Sequence, residues 1–163
     1  MTSRASGTRL PSRASGLLYG LGLGGFVDGI VLHQILQWHH LVCTTATCHP
    51  VSIADLQRKN VQDGYFHLGV LVLTGVGVGA LFRAGARPGV LWSGRSLFGA
   101  MLAGWGAFNL IEGLIDHHIL QIHHVRPGPT QNLWDLAFLA GGVLLIAVGA
   151  GLIRSAAAER REA

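Results

Sequence analysis

The sequence predicts an all-α integral membrane fold, a four-helix bundle built from two parallel two-helix repeats. Three observations lead there. Of 163 residues, 50% are hydrophobic and only 12% charged, whereas a soluble domain usually carries about 25% charged residues. Four apolar stretches, about 17–40, 62–82, 96–122 and 133–153, match the roughly 20 residues a bilayer span needs. Residues 28–40, DGIVLHQILQWHH, also align without a gap to residues 112–124, EGLIDHHILQIHH.

Each element has its own support. Residues 1–16 form a basic tail carrying Arg4, Arg9 and Arg13. The apolar run that follows is too long for a signal peptide, contains Asp28 and lacks a small-residue cleavage site, so it is expected to stay as the first helix. Next comes CTTATCH, with Cys43 and Cys48. These two can close a small disulfide loop or, with His49, hold a metal. An outward-facing loop favours the disulfide. The second span carries Gly69, Gly75, Gly77 and Gly79, and the fourth Gly141, Gly142, Gly149 and Gly151; small residues suit close helix packing in lipid. Residues 17–153 are read as one domain, and 154–163 as a second tail.

The net charge of +4 does not indicate nucleic acid. Arg4, Arg9, Arg13, Arg83, Arg87, Arg95, Arg154, Arg160 and Arg161 flank the termini and the middle connection, against Arg58, Lys59 and Arg126 elsewhere. Positive residues stay inside. The chain is therefore expected in a bacterial inner membrane, both termini cytoplasmic, with lipid as its surroundings and homo-oligomers left open.

The aligned segments pair Asp28 with Glu112, Gly29 with Gly113, His33 with His117, Gln37 with Gln121, His39 with His123 and His40 with His124. NVQDGYF (60–66) and NLWDLAF (132–138) share Asn, Asp and Phe at equal spacing. Each copy starts on the same side, which implies parallel repeats. Retained packing explains the aliphatic matches. It does not explain the polar ones, because an ionisable side chain at depth costs about 2–3 kcal/mol or more.

At 100° per residue, Glu112, Asp116, Ile119 and His123 share one stripe, and His117, Gln121 and His124 a neighbouring one. Measured along straight helices, His33, His67 and His117 lie roughly 10 Å below the outer boundary. These three, with Asp116 or Glu112, are the expected metal ligands. His39, His40, His123 and His124 are expected at the rim, as a second ion site or the way in. Asp28, Asp63, Asp135, His118, Gln37 and Gln121 would orient imidazole N–H groups.

Histidine with carboxylate suits zinc, iron or copper. Haem is a rival through the pairs His33/His40 and His117/His124, but two levels about 10 Å apart are tight for two haems. The histidine count invites comparison with membrane di-iron oxygenases, yet the spacing here departs from their HxxxH and HxxHH boxes. Glu112 or Asp116 could act as general base for a metal hydrolase. Transport is disfavoured because Leu17 to Phe26 offers no ionisable group to continue a path. The expected function is metal binding in respiratory or copper/iron handling. A metal-dependent membrane enzyme acting on a lipid-soluble substrate comes second, and haem electron transfer third.

GFVDGIVLHQILQWHH, DGYFH and NLIEGLIDHHILQIHHV together resemble a bacterial family of predicted four-helix, His-rich membrane proteins of unknown function. The resemblance covers nearly all of the chain after the tail and supplies no activity. It implies partners among respiratory oxidase assembly or copper-handling proteins, and so favours copper.

Overall fold

The computed structural model describes residues 13–43, 47–88 and 93–162; Arg4 and Arg9 lie outside them. Four α-helices run Arg13–Val27 (α1), Ile53–Gly85 (α2), Gly94–Glu112 (α3) and Gln131–Glu162 (α4). Two π-helical segments, Asp28–Ile35 (π1) and Gly113–Ile119 (π2), continue α1 and α3. All four helical stretches are long and apolar enough to cross a membrane. No strand occurs among the described residues.

The helix ends differ from those read off hydropathy. Ser52, in extended geometry, accepts a hydrogen bond from the Asp55 amide (3.1 Å), so α2 starts at Ile53 rather than near residue 62. Side-chain capping of this kind satisfies an otherwise orphaned amide. The first turns are polar, which hides them from a hydropathy window, and at 1.5 Å per residue α2 reaches about 50 Å. Ser93 caps α3 through the Ser96 amide in the same way (3.2 Å).

Packing runs in the order α2–α1–α3–α4: α1 touches α2 and α3, α3 touches α4, and α2 and α4 do not pack on each other among the described residues. Glycine sets this order. A Cβ on Gly20 would collide with the Met101 carbonyl, and one on Gly104 with the Leu17 carbonyl. Gly106 and Gly149 meet the carbonyls of Gly142 and Gly99 in the same manner. Of the glycines expected to pack in the second and fourth spans, Gly77, Gly142 and Gly149 do so. Gly69, Gly75, Gly79, Gly141 and Gly151 face open space, because α2 and α4 each pack against a single helix.

Polar side chains dominate the largest fully buried positions, and many large apolar side chains are exposed. The largest fully buried side chains are His33, His39, His117, His123, Asp63 and Asp135, while Leu71, Val72 and Phe82 of α2 and Leu136, Val143 and Leu144 of α4 are exposed. Water would penalise that arrangement; hydrocarbon accommodates it. Cys43 and Cys48 form a disulfide, so the alternative that used them with His49 as metal ligands is set aside. The Arg126 guanidinium lies 5.2 Å from the Trp38 ring and 5.7 Å from the Trp134 ring.

Candidate metal centre

The site is built by the two π segments. In an α-helix, residues five apart point about 140° away from each other. Here the Leu36 amide bonds to the Val31 carbonyl (2.8 Å) and the Leu120 amide to the Ile115 carbonyl (2.7 Å). Such five-residue turns bring residues five apart into line. His33 thus stands over Asp28, and His117 over Glu112. The α-helical stripes put Asp116 with Glu112 instead. In the structure Asp116 is half-buried and lies outside the cluster.

Beyond each π segment the chain reverses. Gln37 and Gln121 adopt left-handed backbone, with φ of 49° and 51°, a strain of order 1–3 kcal/mol for a non-glycine residue. The expectation that these glutamines orient imidazoles is corrected: they are exposed turn residues. The reversal carries His39 and His123 back into the bundle. The expected rim level therefore does not form, because the helices end at Ile35 and Ile119 rather than running straight through.

Four imidazoles come together. The ring centroids of His33 and His39 are 4.4 Å apart, those of His117 and His123 4.9 Å, and His39 stacks on His123 at 4.6 Å and 10°. Three of their Nδ1 atoms are hydrogen-bonded to fixed partners outside the ring cluster. His39 Nδ1 bonds to the Val125 carbonyl and His123 Nδ1 to the Leu41 carbonyl, both at 2.9 Å. His33 Nδ1 bonds to Asp63 Oδ1 at 3.2 Å. His117 Nδ1 stands 3.4 Å from Asp135 Oδ1 without the alignment of a hydrogen bond.

The Nε2 atoms face inward, toward Asp28 and Glu112. His33 Nε2 is 3.1 Å and His39 Nε2 4.0 Å from Asp28 Oδ2. His123 Nε2 is 3.3 Å and His117 Nε2 4.0 Å from Glu112 Oε1. Despite this proximity, His33 Nε2, His39 Nε2, His117 Nε2, both Asp28 oxygens and Glu112 Oε2 have no hydrogen-bond partner among the described residues. Ligands about 2.1 Å from a tetrahedral ion are roughly 3.4 Å apart, so these are spacings an ion can bridge. Asp28, His33, His39 and Glu112 form one group with ligand atoms within 4.8 Å of one another, and Glu112, His117 and His123 a second. All six residues are at most 4% exposed. Burial pushes the imidazoles of His39 and His123, which lie beyond the helical spans, below the ordinary histidine range. Neutral imidazole is the form that binds metal.

Asp63 and Asp135 act as hubs. Asp63 accepts from the Leu41 amide (2.8 Å) and from His40 Nδ1 (2.7 Å); Asp135 accepts from the Val125 amide (2.9 Å) and from His124 Nδ1 (2.7 Å). His40 and His124, expected as possible ligands, are thus held on these carboxylates outside the two groups, and Gln131 also contacts His124 Nε2 at 3.1 Å. His67, an expected ligand, is outside them too. Its Nδ1 bonds to the Asp63 carbonyl of its own helix (2.8 Å) and its Nε2 abuts Gly29. His118 likewise turns onto its own helix, at the Gly113 carbonyl (2.7 Å).

Asn109 was not foreseen. It is buried, its Oδ1 has no hydrogen-bond partner among the described residues, and it lines a cleft of about 130 Å³ with Val27, Val31, Trp105, Phe138 and Asp28. A lone Asn in an apolar helix carries no periodic signal, which is why pattern reasoning passes over it.

No curated protein and no solved structure matches the chain. The sequence pattern of the DUF2243 predicted membrane proteins matches residues 15–156. That stretch takes in α2 and α3, most of α1 and α4, and every residue of the buried cluster, and the chain belongs to this family of predicted membrane proteins.

Proposed function

We propose that this protein is a membrane metalloprotein with a resident transition-metal centre in the outer half of the bilayer, held by His33, His39, His117, His123, Asp28 and Glu112. One observation carries the reading: four imidazoles, three with Nδ1 hydrogen-bonded to fixed partners, direct Nε2 toward two buried carboxylates whose oxygens are largely unpartnered. A buried carboxylate without hydrogen bonds is costly, and bound metal would satisfy these groups. With both cysteines in the disulfide, the donors are imidazole and carboxylate, which suit zinc, iron or copper(II). The contact between the four rings favours a bare ion over haem, since no slot for a macrocycle separates them.

The positive-inside distribution of arginines supports cytoplasmic termini, which puts the disulfide and the cluster toward the outer face. A role in respiratory copper or iron handling fits that location. A metal-dependent enzyme is the second reading, favoured by the largely apolar cleft that reaches Asp28 between Val31 and Phe138. Such a path admits a small lipid-soluble molecule more readily than a hydrated ion.

The test is elemental analysis of protein purified in detergent. Bound transition metal is expected, with no Soret band, and His39→Ala and His117→Ala should each lower metal content while the protein stays monodisperse. Full metal content in both variants, or a stoichiometric Soret band, overturns the proposal.

A further inference from the structure

We propose that the centre is dinuclear: one divalent ion lies among His33, His39 and Asp28, a second between His117 and His123, and Glu112 is shared by both. This deepens the metal-binding reading and rests on it. Two donors on one ion are at most about 4.2 Å apart, twice a bond of roughly 2.1 Å. Even at a wider limit of 4.8 Å the two histidine pairs fall into separate groups, and Glu112 is the one residue common to both. A single ion therefore does not reach all four imidazoles.

Glu112 has the connectivity that a bridge requires. Its Oε1 is 3.3 Å from His123 Nε2 and 4.0 Å from His117 Nε2, while its Oε2 is buried without a partner and is left for the other ion. On that side Asp28 offers two further unpartnered oxygens. Paired ions about 3.5–4 Å apart are a recurring arrangement in metalloenzymes.

Charge balance points the same way. Asp28, Glu112, Asp63 and Asp135 are each at most 4% exposed, and among the described residues no lysine or arginine forms an ion pair with any of them. Metal binding requires deprotonated ligands, and with the carboxylates ionised and the imidazoles neutral, four carboxylates match two divalent cations. One divalent ion would leave negative charge uncompensated in a low-dielectric interior, where it is expensive.

The experiment strips detergent-purified protein with chelator, reloads it with Mn(II), and measures metal per chain together with the electron paramagnetic resonance spectrum. Two ions per chain with an exchange-coupled spectrum are expected. One ion per chain at saturation overturns the dinuclear centre but leaves the metal-binding reading standing; no binding of Mn(II), Zn(II) or Cu(II) sinks both. Two ions showing only the spectrum of isolated Mn(II) overturn the shared carboxylate. Asp28→Asn should retain the ion at His117 and His123, lowering the count from two to about one, and an unchanged count of two overturns the assignment of Asp28.

Discussion

Asp63 illustrates how one side chain acts through several others. It holds His33 and His40 by their Nδ1 atoms and accepts from the Leu41 amide. Removing the charge by Asp63→Asn should leave the ligands present but loosely aimed, lowering metal affinity about 10- to 100-fold, the usual effect of losing such an orienting partner. Competition against a chromogenic chelator reads this directly. His67→Ala is expected to leave metal content unchanged, because the His67 ring is tied to the Asp63 carbonyl and abuts Gly29. Loss of metal in that variant would return His67 to the ligand set. At this scale the sequence made the residue types legible: imidazoles and carboxylates at membrane depth are too costly to keep without use. It did not make their roles legible. Asp28 was assigned to orientation and stands among the candidate ligands, whereas His40 and His124 moved the other way, since a one-residue change in turn size alters which side chains meet.

The helical elements carry two devices of unequal visibility. Glycine content was plain in the sequence, but which glycines matter depends on which helices touch. Gly106→Val should destabilise the protein, since overpacking of this kind costs about 1–3 kcal/mol or more and the new Cβ would strike the Gly142 carbonyl. Gly75→Val should have little effect, because nothing lies within 4 Å of a Cβ there. Thermal unfolding of the two variants in the same detergent tests the contrast; equal midpoints would contradict the packing order. The π segments were hidden altogether. Their hydrogen bonds leave no compositional trace, and a helical wheel at 100° per residue assumes them away. The left-handed glutamines were equally silent, since that backbone is ordinarily announced by glycine or asparagine.

For the whole molecule, the disulfide and the polar interior connect compartment to chemistry. Cys43 and Cys48 are five positions apart, so closing this short loop is worth about 2 kcal/mol on the chain-entropy account. Replacing both by serine should lower the unfolding midpoint by several degrees. In wild-type protein, maleimide labelling should occur only after reduction. Labelling without reduction would place this loop in a reducing compartment and reverse the orientation read from the arginines.

Composition, hydropathy and the price of polar groups in lipid were enough to establish an all-helical membrane chain with four spans and a histidine–carboxylate interior, because each of these is a property of residues summed along the chain. The identity of the converging set was decided only in three dimensions. It depends on two widened turns and two reversals that return His39 and His123 to the level of His33 and His117, and on Asp63 and Asp135 reaching across from other helices. Directions of that kind arise from backbone hydrogen bonding and long-range contact, which spacing along a helix does not encode.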